Sequence, residues 1–129
     1  MSRFKSWKHP WFDSDGYAYS CKSFTLQDKY GWRCQHNENL GLGINVDIGC
    51  FTFMNAKYGI DIGKDTQIGS HCSIYSVNTE NETKGKVVIG ENCRIGSYTL
   101  ILPNVCIPPD TKIKARSVID DRNYPSKKE

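Results

Sequence analysis

The hydrophobic residues of this chain recur at a step of six between Leu42 and Ile119. An α-helix cannot keep one face at that step, because six residues make one and two-thirds turns. A strand keeps a side-chain face at any even step, but no single strand runs this far without turning. The pattern therefore predicts a coil of very short strands with turns built in. The twelve aliphatic markers are Leu42, Ile48, Met54, Ile62, Ile68, Ile74, Ile89, Ile95, Ile101, Ile107, Ile113 and Ile119.

Small or branched residues stand two positions before most of these markers. Strand side chains alternate, so the two positions share an inward face and the residue between them points outward. Glycine follows six of the markers, and its tolerance of positive φ suits a corner turn. Each hexad therefore predicts one short strand and one corner, and three hexads predict one triangular coil. The inward partners are Val46, Thr52, Ile60, Thr66, Cys72, Val87, Cys93, Thr99, Val105, Thr111 and Ser117.

Three hexads carry a family resemblance. Ile62-Gly63-Lys64-Asp65-Thr66-Gln67, Ile68-Gly69-Ser70-His71-Cys72-Ser73 and Ile89-Gly90-Glu91-Asn92-Cys93-Arg94 resemble the repeat of the hexapeptide-repeat acyltransferases. The resemblance implies an all-β fold, a left-handed parallel β-helix of about four triangular coils. It also implies transfer of an acetyl (acyl) group from coenzyme A to a hydroxyl or amine of a sugar, sugar nucleotide or similar small acceptor. Enzymes of this kind are homotrimers, and acetyl-CoA (acyl-CoA) is their co-substrate, with no metal.

The hexads divide the chain into three parts. Residues 1–41 contain no hexad and are rich in aromatics, so we expect an N-terminal capping segment or, as the alternative, an aromatic wall for an acceptor ring. Residues 42–119 are the β-helix, with a polar extruded loop at 75–87 that is either a binding loop or a solvated insertion. Residues 120–129 are a charged tail, interpreted as a frayed end or a short lid.

The composition bears on nucleic-acid binding, membrane spanning and the state of the cysteines. The chain has 129 residues with 17 Lys and Arg against 14 Asp and Glu, a net charge of +3 that does not indicate a nucleic-acid partner. No apolar run reaches membrane-spanning length, so we expect a cytoplasmic protein without a membrane span. The six cysteines form no C-x-x-C pair, and we interpret them as reduced, small core or surface residues.

Sorting the hexads by three gives three faces with different outward residues. The first face has Asp61, Val88 and Cys106; the second has Asp47, Gln67, Arg94 and Lys112; the third has Phe53, Ser73, Leu100 and Val118. An exposed apolar stripe usually marks an interface. The third face is therefore predicted to lie in or near the subunit contact of the homotrimer, unless the N-terminal segment covers it.

A basic cluster near the last coils provides the candidate cofactor site. Arg94 and Lys112 should lie about 5 Å apart on adjacent strands, with Lys114 and Arg116 at the last corner. Such a cluster suits the phosphates of coenzyme A, although a solvated basic edge would have the same composition. In similar enzymes, backbone amides such as those after Ile95-Gly96-Ser97 hold the pantetheine arm, and we expect the Ser97 N–H to bind the oxyanion. Lys114 and Arg116 depart from the family pattern, which often has glycine there.

The catalytic base has several candidates. Acyl transfer needs a base to take the acceptor's proton, and histidine is the natural base near neutral pH. The extruded loop contains no histidine, so His71, just before the loop, is the first candidate and His36 the second. For an amine acceptor, Asn78 or Glu80 in the loop could orient or deprotonate the nucleophile. One histidine in the repeat does not make the three-histidine zinc site of carbonic anhydrases with this fold. A non-catalytic scaffold or binding module remains the alternative.

Overall fold

The computed structural model describes residues 31–125, and within that range nearly all regular structure is β-strand. Three parallel sheets of short strands surround a common core, so the predicted parallel β-helix is confirmed. Twelve strands make four coils of three, one further strand precedes them, and two form a hairpin. The strands are β1 Arg33–Gln35, β2 Leu40–Leu42, β3 Asp47–Ile48, β4 Phe53–Asn55, β5 Ile60–Ile62, β6 Gln67–Ile68, β7 Ser73–Tyr75, β8 Val77–Asn78, β9 Thr83–Lys84, β10 Val87–Ile89, β11 Arg94–Ile95, β12 Leu100–Ile101, β13 Cys106–Ile107, β14 Lys112–Ile113 and β15 Val118–Ile119; a 3₁₀ helix spans Asn37–Asn39.

Each sheet is one face of the coil. The first face has the strand order β2-β5-β10-β13, the second β3-β6-β11-β14, and the third β1-β4-β7-β12-β15. We call the corner between the first and second faces the first edge, that between the second and third faces the second edge, and that between the third and first faces the third edge. Strand register aligns the outward residues as the hexads predicted. The aligned rows are Asp61, Val88 and Cys106; Asp47, Gln67, Arg94 and Lys112; and Phe53, Ser73, Leu100 and Val118.

The core is a narrow column filled by the markers and their inward partners. Eleven of the twelve markers are buried, and Leu42 packs against the column from a half-buried position. Inward threonines and cysteines bond from coil to coil. Thr66 Oγ1, for example, donates to the Gly90 carbonyl at 2.7 Å and accepts from the Cys93 N–H at 3.2 Å. The small inward residues therefore satisfy backbone groups that the sheets leave unpaired at the corners.

The corner glycines have a different role from the one expected. None of the six glycines after markers has positive φ; the left-handed residue lies three positions after the marker, as at Asp65 and Asn92. The glycines are needed because a side chain there would collide with the next coil. A Cβ on Gly63 would lie 2.7 Å from the Glu91 nitrogen, and one on Gly69 would lie 2.7 Å from the Ser97 nitrogen. The expectation of positive φ at these glycines was wrong.

The two ends of the described chain extend the coil beyond the hexads. Strand β1 pairs with β4, so sheet structure begins before the Leu42 boundary. Most of the predicted aromatic cap, residues 1–30, lies outside the described residues, as do residues 126–129. Residues 120–125 are not a frayed end, because the Cys106 N–H donates to the Tyr124 carbonyl at 2.9 Å and Pro125 bridges to Val105. Tyr124 also packs against the core, so this turn covers β13, the last strand of the first face.

The predicted extruded loop is an ordered hairpin on the third edge. Strands β8 and β9 pair antiparallel, and Gly85 N–H returns to the Ser76 carbonyl at 2.9 Å. The step of eight between Met54 and Ile62 adds its two residues at the same edge, one coil earlier. Across residues 31–125, no helix is long and apolar enough to span a membrane.

Candidate functional site

A shallow basic groove follows the second face. Asp47, Gln67, Arg94 and Lys112 lie in one aligned row across its four strands, and Lys114 closes one side. The depression has a volume of about 480 Å³. Arg94 Nη1 donates to the Asp65 carbonyl at 3.3 Å, which fixes the guanidinium beside the row. Positive charge therefore collects at the end of the groove near the last coils, as the hexad sorting predicted.

The second edge, which borders this groove, has a row of small residues. The Ser70 N–H donates to the Ser97 hydroxyl at 3.2 Å, one coil further along. At the next coil the equivalent residue is Ala115, which has no hydroxyl. Among residues 31–125, no acceptor is found for the Ser97 N–H. Ser97 is a half-buried residue and directly follows Gly96, which lines the groove, so an oxyanion or an amide oxygen of a ligand could accept from this N–H.

His71 lies on the same edge, in a stack of aromatic rings. Its imidazole is 4.7 Å from the Tyr98 ring at 8° and 5.0 Å from the Phe51 ring at 30°. His71 Nδ1 lies 3.1 Å from the Ser70 hydroxyl, which places His71, Ser70 and Ser97 in one connected group. Both ring faces are covered, so Nε2 at the exposed rim is the atom left for chemistry.

The loop candidates lie elsewhere. Asn78 and Glu80 belong to the hairpin on the third edge, where Asn78 Oδ1 accepts from the Glu80 N–H at 3.2 Å. Asn78 also lines a cavity of about 190 Å³ between the hairpin and the C-terminal turn at Asp120–Arg122. Asp120 binds Arg122 there, with Oδ2 2.7 Å from Nη2, and this hydrogen bond lowers the pKa of the Asp120 carboxyl.

One copy of the chain therefore brings together only part of the predicted site. The second face and second edge gather the basic row, the Ser97 amide and His71, with Arg116 next along the edge; Arg116 N–H donates to the Ser97 carbonyl at 2.9 Å. Asn78 and Glu80 are on the third edge, which is the corner opposite the second face. His36 is also on the third edge, exposed and 3.8 Å from Glu38.

Two sets of residues in or beside the candidate site were missed from the sequence. Phe51 and Tyr98 flank His71 and are 70% and 59% exposed. Each stands three positions after a marker, where the left-handed residue is usually Asn or Asp. A large side chain at such a position was the available signal. Tyr58 and its neighbouring lysines, beside the hairpin of the third edge, were also missed, although the step of eight between Met54 and Ile62 marked extra residues there.

Two buried cysteines in the described part of the chain are core residues. Between residues 31 and 125, the thiols of Cys50, Cys72, Cys93 and Cys106 are free. Burial raises the pKa of the Cys72 and Cys93 thiols, which donate to the Gly96 and Pro108 carbonyls at 3.3 and 3.2 Å. A raised thiol pKa disfavours the thiolate, so these are core residues and not nucleophiles. In the described part of the chain, no three His, Cys, Asp or Glu side chains are grouped to hold a metal ion.

The third face presents the predicted apolar stripe. Val118 is 59% exposed, and Phe53 and Leu100 are half-buried. Phe53 lies 6.0 Å from the Tyr75 ring, and the exposed rings of Phe51 and Tyr98 continue the stripe round the second edge. The stripe therefore borders the His71 group directly.

Comparison with known proteins adds one partial similarity. No family model matches the chain. Over 70 residues the chain is 31% identical to the bifunctional protein GlmU of Chromobacterium violaceum. The matched region covers 49% of this chain and 14% of that relative. The chain thus spans about one-seventh of the length of the relative it matches. Together, the hexads, the coil of parallel sheets and this similarity fit a hexapeptide-repeat acyltransferase.

Proposed function

We propose that this protein transfers an acetyl (acyl) group from coenzyme A to a hydroxyl or amine of a sugar or similar small acceptor in the cytoplasm. The observation that carries the proposal is the continuous group on the second face and second edge. It combines a basic groove for phosphates, an amide donor without an acceptor and a histidine with one free nitrogen. The partial similarity to GlmU supports acyl transfer as the reaction class.

The positive charges in and beside the groove match the phosphates of an acyl-CoA. Arg94, Lys112, Lys114 and Arg116 provide four positive charges for its phosphates. Bound acyl-CoA supplies the activated thioester carbon. The Ser97 N–H donates to the carbonyl oxygen as negative charge develops on it, in the manner of an oxyanion hole.

His71 is the proposed base for a hydroxyl acceptor. With the Nδ1 proton donated to the Ser70 hydroxyl, Nε2 keeps a lone pair that takes the acceptor's proton as its oxygen attacks. The thioester carbon–sulfur bond then breaks, and the proton passes to the departing sulfur. For an amine acceptor, Asn78 and Glu80 are the proposed orienting or proton-accepting groups.

Assembly as a homotrimer brings these two sets together. The third-face stripe of Phe53, Leu100 and Val118 is the proposed contact, because exposed apolar side chains gain free energy when a partner covers them. The stripe lies between the second and third edges. A neighbouring copy packed against it places its own hairpin or groove beside the first copy's, so a site that uses Asn78 or Glu80 with the Ser97 amide draws on two subunits.

Calorimetric titration with coenzyme A tests the proposal. Arg94→Glu with Lys112→Glu should weaken binding at least a hundredfold, since two attractions become repulsions. Lys64→Glu reverses one charge at the first edge, outside the groove lining, and should bind within about twofold of the wild type. His71→Gln should keep coenzyme A binding and lose turnover with a hydroxyl acceptor. No binding to the wild type at millimolar coenzyme A would favour the scaffold alternative.

A further inference from the structure

Two lysines lie over one tyrosine ring at the third edge, and a third lysine lines the depression beside that ring. Lys57 Nζ and Lys84 Nζ lie 5.6 and 5.5 Å from the centroid of the Tyr58 ring. Lys86 Nζ is paired with Asp61 Oδ2 at 2.7 Å in the same depression, which has a volume of about 320 Å³. Three ammonium groups and one carboxylate leave a charge of about +2 within this small area.

The backbone that carries these lysines is fixed by side chains from several coils. Asn39 Nδ2 donates to the Lys57 carbonyl at 3.1 Å, and Ser76 Oγ accepts from the Tyr58 N–H at 2.9 Å. Asn104 Nδ2 donates to the Lys84 carbonyl at 2.9 Å. The cluster is therefore supported by four successive levels of the coil, and its backbone is positioned before any ligand arrives.

The interruptions of the hexad pattern explain where the cluster lies. Lys57 and Tyr58 lie in the lengthened step between Met54 and Ile62. Lys84 ends the hairpin strand β9, and Lys86 lies in the connection that follows it. Both interruptions fall on the third edge, in adjacent coils. A simple solvated insertion has no need for like charges to converge, because unpaired lysines repel one another and gain entropy by spreading apart.

We propose that Lys57, Lys84 and Lys86 around Tyr58 form a binding site for the phosphate group of a small phosphorylated ligand. A phosphomonoester carries about −1.5 to −2 charges at neutral pH, which matches the excess of about +2. Lysine binds phosphate as a point charge and can reorient its three N–H donors round the oxygens. The Tyr58 ring holds two ammonium groups beside the depression by cation–π attraction.

This site is separate from the proposed coenzyme A groove. The groove lies on the second face, and the lysine cluster lies at the opposite edge of the triangular coil, beside the hairpin that carries Asn78 and Glu80. Assigning the phosphate to the acyl acceptor rests on the proposed function. The anion site itself does not, because it is defined by its own charges and geometry.

Amide chemical-shift titrations of the full-length protein with glucose 6-phosphate test the site. Glucose is the uncharged control ligand and glucuronate the carboxylate control. We expect glucose 6-phosphate to shift the amides of Tyr58, Gly59 and Gly85, with affinity falling as salt is raised. Lys57→Ala and Lys84→Ala should each weaken binding about tenfold, whereas Lys64→Ala at the first edge should leave it unchanged.

Three outcomes of the ligand titrations would overturn the proposal. Equal binding of glucose would show that charge is not recognised, and equal binding of glucuronate would assign a carboxylate site instead. Shifts confined to Arg94 and Lys112 would place the phosphate in the groove of the second face. Coenzyme A titration of the Lys57→Ala, Lys84→Ala double variant separates the coenzyme A groove from the phosphate site. Unchanged coenzyme A affinity with lost glucose 6-phosphate binding supports both proposals. Retained glucose 6-phosphate binding contradicts the phosphate site alone.

Discussion

Replacing Thr66 with valine tests the bonds that join one coil to the next. Valine has the same shape and the same branching at Cβ, so the packing of this fully buried side chain is kept. The change deletes one oxygen with two partners, the Gly90 carbonyl at 2.7 Å and the Cys93 N–H at 3.2 Å. Within the described residues, neither group has another partner in the backbone network.

The expected cost follows from those two orphaned groups. A buried N–H without an acceptor costs about 1–3 kcal/mol, and the half-buried carbonyl adds about 1 kcal/mol because water can reach it. Thr66→Val should therefore lower the free energy of unfolding by about 2–4 kcal/mol. Thr99→Val is the matched control: Thr99 is equally buried, but its hydroxyl makes one 3.3 Å bond to the Lys114 carbonyl, which also accepts from Ser117. We expect a loss of less than about 1 kcal/mol there.

Urea denaturation followed by circular dichroism, at one protein concentration for all variants, measures both values. Thr52→Val provides a repeat of the experiment, because Thr52 Oγ1 bonds Gly69 and Cys72 as Thr66 bonds Gly90 and Cys93. Equal losses for Thr66→Val and Thr99→Val would refute the reasoning. So would a large difference between Thr52→Val and Thr66→Val, since the two sites have the same geometry.

Two further predictions concern the proposed active site and its assembly. Ala115→Ser should give the Ser97 N–H a hydroxyl acceptor, in the way that the Ser97 hydroxyl accepts from the Ser70 N–H. In steady-state kinetics, kcat should then fall about 10²-fold with little change in the KM for acetyl-CoA. An unchanged kcat would exclude the Ser97 N–H as the oxyanion donor. Leu100→Glu with Val118→Glu places two carboxylates in the third-face stripe and should shift the trimer towards monomer in analytical ultracentrifugation. An intact trimer would place the contact elsewhere.

The fold could be predicted from the sequence because, in a β-helix, the spacing of the aliphatic residues determines which positions are buried. Each marker must fill the core column, so a step of six specifies one strand and one corner per hexad. Parallel pairing then aligns residues of successive coils, which is why Arg94 and Lys112 could be placed side by side without a structure. The corners were less predictable. Glycine was assigned positive φ on general preference, whereas the reason for Gly63 is the approach of the next coil.

The candidate site could be predicted only in part, because the sequence does not show which edge each irregular residue occupies. His71 was identified as a candidate base from its place just before the loop, but its stacking between Phe51 and Tyr98 depends on three successive coils turning at the same edge. Each of the three adopts the left-handed conformation, which is unfavourable for large side chains. That repeated departure from Asn and Asp was present in the sequence and needed the three-fold sorting of corners to be recognised.

The separation of the candidate residues over two edges has a consequence for catalysis. A rigid triangular coil cannot bend the hairpin of the third edge round to the groove of the second face, since the core column lies between them. A site that uses Asn78 or Glu80 together with the Ser97 amide must therefore span two copies of the chain. A site that uses His71 with Ser97 needs only one. Activity that survives dissociation by Leu100→Glu and Val118→Glu would consequently favour His71, and activity lost with the trimer would favour the hairpin residues.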